Sequence, residues 1–221
     1  MTKKEFCAMA ERIASLCPTV YVMGGVGGCL HEKGKARAMK NKYNAAEDRA
    51  ARITAADGTT FGFDCVGLVK GILWGWSGDT NPAYNYGGAS FGSGGVPDVG
   101  ADKMITLCSD VSTDFATIDA GELLWMSGHC GIYLGGGLCA ESTPKWDDGV
   151  QISAVANLGA AAPQSRTWTK HGRLPWVDYA PAAGETVRLV GVASGCCPDA
   201  LTLVYTDPDV LGARKNAAPV A

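Results

Sequence analysis

Two stretches of sequence decide how this chain folds: residues 63–69, FDCVGLV, and residues 128–133, GHCGIY. In the first stretch, Asp64 is a good N-cap for a helix that begins at Cys65 and continues to about Trp74. In the second stretch, apolar residues alternate with smaller ones after a turn, which predicts a β-strand. The two stretches therefore predict a helix and a strand that each begin with a reactive side chain, a thiol and an imidazole.

The rest of the chain changes from helical to strand-like patterns. Residues 2–5, TKKE, form a capping box, and the apolar residues after it recur at helical spacing until Pro18. From Gly121 onward, short apolar runs are separated by glycines and turn residues, which predicts strands. These runs are residues 123–126, 130–134, 138–140, 150–152 and 166–168, and the last strand is expected to end near residues 176–179. We therefore predict an α+β fold, with N-terminal helices packed on a central antiparallel β-sheet.

A basic segment lies between the N-terminal helix and Cys65. Residues 31–53 hold seven Lys or Arg and three Asp or Glu, an excess of positive charge in a chain whose net charge is −3. Apolar residues from Met39 to Ile53 recur at helical spacing and predict one amphipathic helix. The charges indicate either a solvated helix face or a patch that contacts anions. The negative overall charge argues against nucleic acid as a partner.

Glycine, proline, asparagine and serine mark the loops and boundaries. Residues 77–99 are rich in them and predict a long surface loop, of the kind that often binds ligands or covers a site. Residues 101–107 predict a short helix. We divide the chain into a domain at residues 1–180 and a C-terminal extension at residues 181–221, with a β-hairpin within residues 187–205 and a flexible tail.

Composition excludes several classes of protein. Of the 221 residues, 47% are apolar and 19% are charged, as in a globular domain rather than a disordered chain. No apolar run approaches the roughly 20 residues that cross a bilayer, and the N-terminus lacks the apolar centre of a secretory signal. We therefore expect cytoplasmic synthesis without a signal peptide, and no membrane partner. The nine cysteines have spacings that predict reduced thiols and no zinc site, so we expect neither metal nor cofactor.

Cys65 is the candidate nucleophile, and a cysteine attacks only as its thiolate. A helix N-terminus favours negative charge by about 0.3–2 kcal/mol, roughly one pKa unit. Catalytic thiols show depressions of roughly 3–5 units, so a histidine must contact the thiol. His129 is the best of the three histidines because it opens a strand at a turn. Glu141 would then accept a hydrogen bond from the other ring nitrogen and orient the ring.

Each of these three residues also has an ordinary structural interpretation. Cys65 lies among apolar residues and is compatible with a buried core thiol, His129 with a turn residue and Glu141 with a surface carboxylate. Their combination is more informative than any one of them, because it supplies a nucleophile, a base and an orienting group together.

Three sequence blocks resemble the signature blocks of the NlpC-type cysteine peptidases, and they occur in the order of that family. They are residues 21–25, YVMGG, residues 63–69, FDCVGLV, and residues 128–135, GHCGIYLG. The resemblance covers about residues 15–180, and the second and third blocks together are specific. Residues 141–146 and 168–172 resemble a phage-lysin-like branch of the family. The resemblance implies a papain-like NlpC-type fold.

The resemblance also implies an activity and roles for five residues. Cys65 would be the nucleophile, His129 the general base and Glu141 the third polar residue. Tyr21 and Asp64 would line the substrate groove, and the backbone N–H of Cys65 with the Tyr21 hydroxyl would stabilise the oxyanion. The reaction would be hydrolysis of peptidoglycan stem peptides through a thioester acyl-enzyme. The favoured bond is the one between D-glutamate and the diamino acid.

Two other functions stay open. One is an N-acetylmuramoyl-L-alanine amidase with the same catalytic residues, and the other is a catalytically silent module that binds the cell wall. The partner in each case is peptidoglycan or a muropeptide, and no oligomeric state is predicted. We expect the protein to act on the cell wall after release or delivery, or on wall peptides inside the cell.

The sequence departs from the family pattern at three places. Glu141 stands where the family more often has histidine or another polar residue, and Val66 stands where the common motif has serine. Residues 26–62 form an insertion between the first two blocks and contain the basic segment. We expect this insertion, together with the glycine-rich residues 87–95, to cap the groove and narrow specificity.

Overall fold

Helices and strands both contribute to the fold. The computed structural model describes residues 1–160, 162 and 164–180, so the hairpin and tail predicted after residue 181 lie outside the described residues. The described helices are α1 Lys3–Leu16, α2 Glu32–Ala38, α3 Glu47–Ala55, α4 Cys65–Leu73 and α5 Ala101–Met104. The strands are β1 Thr19–Tyr21, β2 Val26–Cys29, β3 Phe61–Phe63, β4 Ser109–Ser112, β5 Leu123–Met126, β6 His129–Gly135, β7 Leu138–Thr143, β8 Gly149–Val155, β9 Ser165–Arg166 and β10 Lys170–Arg173. The chain is an α+β protein, as predicted, and Met1–Tyr179 form one compact unit.

The strands form a small sheet and a large one. The small sheet has the order β1-β3-β2, with β1 parallel and β2 antiparallel to β3. The large sheet has the order β4-β10-β5-β6-β7-β8-β9. Its neighbouring strands are antiparallel except for β8 and β9, which run parallel. The predicted antiparallel sheet is therefore present, with one parallel pair at its edge.

Helix α4 contacts both sheets and is buried along nearly its whole length. Apart from Lys70, which pairs with Asp98, its sequence is apolar, which is typical of a helix enclosed by other elements. Gly67 allows a close approach: a side-chain carbon at this position would lie 1.8 Å from the carbonyl oxygen of Gly25. The helix therefore rests directly on the backbone of the turn before β2, which fixes the position of Cys65 relative to that turn.

The insertion does not contain the single helix predicted from Met39 to Ile53. Helix α2 ends at Ala38 and α3 begins at Glu47, and a turn separates them. The side chain of Asn44 is fully buried in that turn. It accepts a hydrogen bond from the Met23 N–H at 2.9 Å and donates to the carbonyls of Met23, at 2.9 Å, and Ala38, at 3.0 Å. These bonds satisfy backbone groups on two segments, so the prediction of one helix is wrong because a tertiary contact replaces local helix formation.

The last predicted strand is absent, whereas the predicted glycine-rich loop is present. Residues 176–179 are not a strand, and the last strand among the described residues is β10, which lies between β4 and β5. The glycine-rich loop at residues 77–99 is present as predicted. Its two ends are held by tryptophan indoles: Trp76 Nε1 donates to the Gly27 carbonyl at 2.8 Å, and Trp74 Nε1 donates to the Val96 carbonyl at 3.1 Å. No helix of the described residues is long and apolar enough to cross a bilayer.

Candidate active site

Asp64 places Cys65 at the first position of α4. One oxygen of the Asp64 carboxylate accepts a hydrogen bond from the Gly67 N–H at 2.5 Å, which caps the helix as predicted. The other oxygen accepts from the Gly24 N–H at 2.7 Å. Burial, followed by the nearby charge of Cys65, raises the pKa of Asp64 to about 6. The Asp64 carboxylate therefore links α4 to the turn at residues 23–25 by hydrogen bonds, and it lies beside the Cys65 thiol.

The Cys65 thiol is nearly enclosed, with 6% of the residue exposed. A hydrogen bond from the Cys130 thiol is the strongest influence on its pKa; burial opposes ionisation, and a hydrogen bond and positive charge from His129 favour it. Together these contacts lower the pKa of Cys65 to about 4. The thiol is thus held as a thiolate at neutral pH, which is the nucleophilic form.

His129 is the first residue of β6, and its ring stacks on Trp168 with 5.5 Å between ring centroids and 10° between ring planes. Its Nε2 lies 2.7 Å from Oε2 of Glu141. This leaves Nδ1 for the hydrogen bond with Cys65. Burial lowers the pKa of His129, but the bonds to Cys65 and Glu141 outweigh it and raise the pKa above its usual value. These bonds therefore favour the cationic imidazole, which is the partner of a thiolate.

Glu141 lies on β7 and is fully buried. Its Oε2 also accepts a hydrogen bond from Nε of Arg166 at 2.8 Å, and its Oε1 accepts from the Ser153 hydroxyl at 2.5 Å. Burial raises the pKa of Glu141, but the His129 hydrogen bond, the Arg166 charge and the Ser153 hydroxyl prevail and lower it. Glu141 is accordingly a charged acceptor that orients the imidazole, not the surface carboxylate of the ordinary interpretation.

Tyr21 ends β1, and 5% of the residue is exposed. Burial and the charges of Cys65 and Asp64 raise the pKa of its hydroxyl. Among the hydrogen bonds of the described residues, the hydroxyl makes a weak one to the sulfur of Met23 at 3.9 Å. The carbonyl of Tyr21 accepts a hydrogen bond from Arg49, which is also paired with Asp148 at 2.8 Å. The insertion therefore anchors the strand that carries Tyr21.

The structure brings together all five residues singled out from the sequence and adds four that sequence reasoning did not assign to the site. The additional residues are Cys130, Ser153, Arg166 and Trp168. Ser153 and Gln151 are polar residues two apart in the otherwise apolar β8, which is a local signal for a polar face. Arg166 has no such signal, because its contact with Glu141 depends on how β9 pairs with β8.

No protein-family model matches this chain, and no curated protein matches it. A thiolate at a helix N-terminus, an imidazole in contact with it and a buried carboxylate behind the imidazole form the arrangement that nucleophilic catalysis requires.

Proposed function

We propose that this protein is a cysteine peptidase that cleaves peptidoglycan stem peptides through a thioester acyl-enzyme. The observation that carries the proposal is the continuous set of contacts from Cys65 to His129 to Glu141. A buried thiol without a reactive role ordinarily has a raised pKa, as Cys7 and Cys139 do, whereas the pKa of Cys65 is lowered to about 4. This difference favours an enzyme over a silent cell-wall-binding module.

The reaction begins with attack of the Cys65 sulfur on the carbonyl carbon of the scissile bond. The carbonyl electrons move to oxygen, and the oxyanion is bound by the Cys65 backbone N–H and the Tyr21 hydroxyl. As the intermediate collapses, the C–N bond breaks and Nδ1 of His129 gives its proton to the leaving amine. Water then attacks the thioester, His129 accepts its proton, and the C–S bond breaks to restore the thiolate.

The substrate part of the proposal rests on the three NlpC-like blocks described above. A papain-like NlpC-type fold accounts for a thiol on a buried helix that faces a base on an antiparallel sheet, and the α+β architecture is compatible with it. Under this proposal the bond cleaved is that between D-glutamate and the diamino acid. The protein would reach the wall after release or delivery, or would act on wall peptides inside the cell.

The decisive experiment is digestion of purified peptidoglycan and soluble muropeptides, with new termini identified by mass spectrometry. We expect new termini at D-glutamate and at the amino group of the diamino acid. Termini at N-acetylmuramic acid and L-alanine would instead identify an amidase with the same catalytic residues. Absence of any product from either substrate would contradict hydrolysis of the wall.

Cys65→Ala should lower the rate of product formation by about four orders of magnitude or more, because the nucleophile is absent. Cys17→Ala is the matched control, since Cys17 is a half-buried thiol outside the site. The control should retain the wild-type rate. Full hydrolysis by Cys65→Ala would refute the proposed mechanism.

A further inference from the structure

The Tyr21 hydroxyl is weakly bonded, although it lies beside the candidate nucleophile. Within the described part of the chain, it makes a single hydrogen bond, to the sulfur of Met23 at 3.9 Å, and a thioether is a weak acceptor. Burial, and then the negative charge of Cys65, raises the pKa of the hydroxyl, so the hydroxyl lies in the field of the thiolate. Its proton is therefore available to an oxyanion formed at Cys65, and the position of the hydroxyl depends on how the ring of Tyr21 is packed.

Two residues of the insertion pack on the ring of Tyr21. The ring of Tyr43 meets it edge to face, with 6.1 Å between ring centroids and 76° between ring planes. The guanidinium carbon of Arg49 lies 5.6 Å from the centroid of the Tyr21 ring, and the same guanidinium donates to the Tyr21 carbonyl. Tyr21 is 5% exposed and Tyr43 is 41% exposed. Tyr43 is therefore the outer ring of the pair, and it packs against a buried one.

The turn between α2 and α3 holds Tyr43 in this position. The Tyr43 N–H donates to Oδ1 of Asn41 at 2.9 Å, which fixes the backbone of the turn from within. The next residue, Asn44, is fully buried and exchanges two hydrogen bonds with the backbone of Met23, each of 2.9 Å. Met23 follows Tyr21 by two residues. The turn is therefore joined to the same segment of chain whose aromatic ring it covers.

We infer that Tyr43 is a positioning residue, whose ring holds the Tyr21 hydroxyl where an oxyanion forms when Cys65 attacks a carbonyl. A donor stabilises an oxyanion only when it is already aimed at the place where the charge develops. A displacement of about 1 Å in such a group can cost about 100-fold in rate. The insertion thereby supports the reaction itself, through a residue that touches neither the thiol nor the imidazole. The inference rests on the proposed function for the role of Tyr21 and adds Tyr43 to it.

The test uses p-nitrophenyl acetate, whose carbonyl forms an oxyanion when the Cys65 sulfur bonds to it and p-nitrophenolate leaves. The ester has no peptide that could contact Tyr43, so its rate reports the oxyanion rather than peptide binding. The rate of p-nitrophenolate release in the first turnover is measured for the wild type, Tyr21→Phe, Tyr43→Ala, Tyr43→Phe and Phe91→Ala. Phe91→Ala is the matched control, because Phe91 is an aromatic residue, 58% exposed, that packs on Trp74 at the other end of α4 from Cys65. Circular dichroism establishes that the variants are folded.

We expect Tyr21→Phe to lower the acylation rate by about 100-fold, the effect of losing one oxyanion donor. Tyr43→Ala should lower it by about 10-fold, because the hydroxyl is retained but misplaced. Tyr43→Phe, which keeps the ring, and Phe91→Ala should react at near the wild-type rate. In a Tyr21→Phe background, Tyr43→Ala should add little further loss, because the group it positions is gone. The same 10-fold loss in both backgrounds would overturn the inference.

Alkylation of Cys65 by iodoacetamide separates a misplaced hydroxyl from a misplaced thiol. This reaction consumes the thiolate but forms no oxyanion, so its rate in Tyr43→Ala should stay near that of the wild type. A fall in the alkylation rate that matches the fall in the acylation rate would show that Tyr43 holds the thiol instead, and would refute the inference.

Digestion of peptidoglycan tests the proposed function separately. A wild type that reacts with the ester but leaves wall peptides intact would refute that function, and the ester rates would still decide the role of Tyr43. A wild-type acylation rate equal to that of Tyr21→Phe would refute the inference, whatever the result with peptidoglycan.

Discussion

Two histidine–glutamate pairs lie in or next to the large sheet, and their immediate contacts are alike. His129 is 2.7 Å from Glu141, and His171 is 2.5 Å from Glu122. Both carboxylates are buried, and each is also bonded to an arginine: Arg166 at 2.8 Å for Glu141, and Arg173 at 3.2 Å for Glu122. Distance and burial therefore do not distinguish the candidate catalytic pair, His129 and Glu141, from the other pair.

The two pairs differ in what the second ring nitrogen meets. Nε2 of His171 lies 3.0 Å from the backbone carbonyl of Asp114, so both nitrogens of this ring are occupied by acceptors within the fold. The second nitrogen of His129 contacts the thiol of Cys65, which can react. What distinguishes the candidate active site is therefore the partner of the second ring nitrogen, not the bond between histidine and carboxylate.

The largest expected contrast comes from replacing each histidine by alanine. His129→Ala should lower kcat/KM by about 1000-fold or more, because the base and the cationic partner of the thiolate are lost. His171→Ala should lower the free energy of unfolding by about 3 kcal/mol, because it leaves Glu122 with an incomplete set of buried partners. Denaturant unfolding and peptide hydrolysis at low temperature measure the two effects. Loss of activity in folded His171→Ala would break the distinction.

The carboxylates give the next contrast. Glu141→Gln should lower kcat by about 100-fold or more, because an amide can present its NH₂ group to Nε2 and favour the wrong tautomer of His129. Glu122→Gln should change stability and leave kcat of the folded protein near the wild-type value. Equal kcat values for Glu141→Gln and the wild type would show that the orientation of His129 does not depend on this carboxylate.

Thiol reactivity sharpens the comparison without a substrate. At pH 5, iodoacetamide should label Cys65 about 50-fold faster than a thiol of ordinary pKa, allowing for the lower nucleophilicity of acidic thiols. The rate should fall as the pH drops through about 4, which is the pKa of Cys65. The Cys130 hydrogen bond and His129 lower this pKa, and burial opposes them. Labelled sites are identified by peptide mass spectrometry. His129→Ala should raise the pKa of Cys65, whereas His171→Ala should not. An unchanged dependence of the labelling rate on pH in His129→Ala would contradict the contact between His129 and Cys65.

The arginines behind the two carboxylates should give the smallest effects. Arg166→Gln removes a positive charge that lowers the pKa of Glu141, so this pKa should rise and activity should be lost at a higher pH on the acid side. We expect kcat at neutral pH to fall by about 5- to 10-fold. Arg173→Gln is the matched control and should leave the pH–rate profile unchanged. A shifted profile in the control would indicate a general loss of positive charge instead.

The parts of the fold that depend on neighbouring residues could be predicted from the sequence. The capping box of α1 and the Asp64 cap of α4 are local signals, and both helices begin where these signals indicate. The break between α2 and α3 had no local signal. It depends on the buried side chain of Asn44, which bonds to Met23 from 21 residues away along the chain.

The site shows the same division. Cys65, His129 and Glu141 could be named from the sequence. Each carries a reactive side chain and lies at the start of, or within, an element that the local sequence predicts. The contacts that set the pKa values of these residues could not be predicted from the sequence. Arg166 reaches Glu141 across 25 residues, and Cys130 reaches Cys65 only because β6 packs against α4. Such contacts depend on strand order and packing, which periodicity does not specify.

Because α4 rests directly on the turn at residues 23–25, mutational scanning of this protein should find an intolerant position that has no role in the reaction. Gly67 touches no reacting group, yet any side chain there would push the helix off the carbonyl of Gly25 and carry the thiol with it. Position 67 would therefore score as intolerant alongside Cys65 and His129. Labelling at alkaline pH would separate position 67 from Cys65, since a displaced thiol is still labelled there, whereas a replaced Cys65 is not.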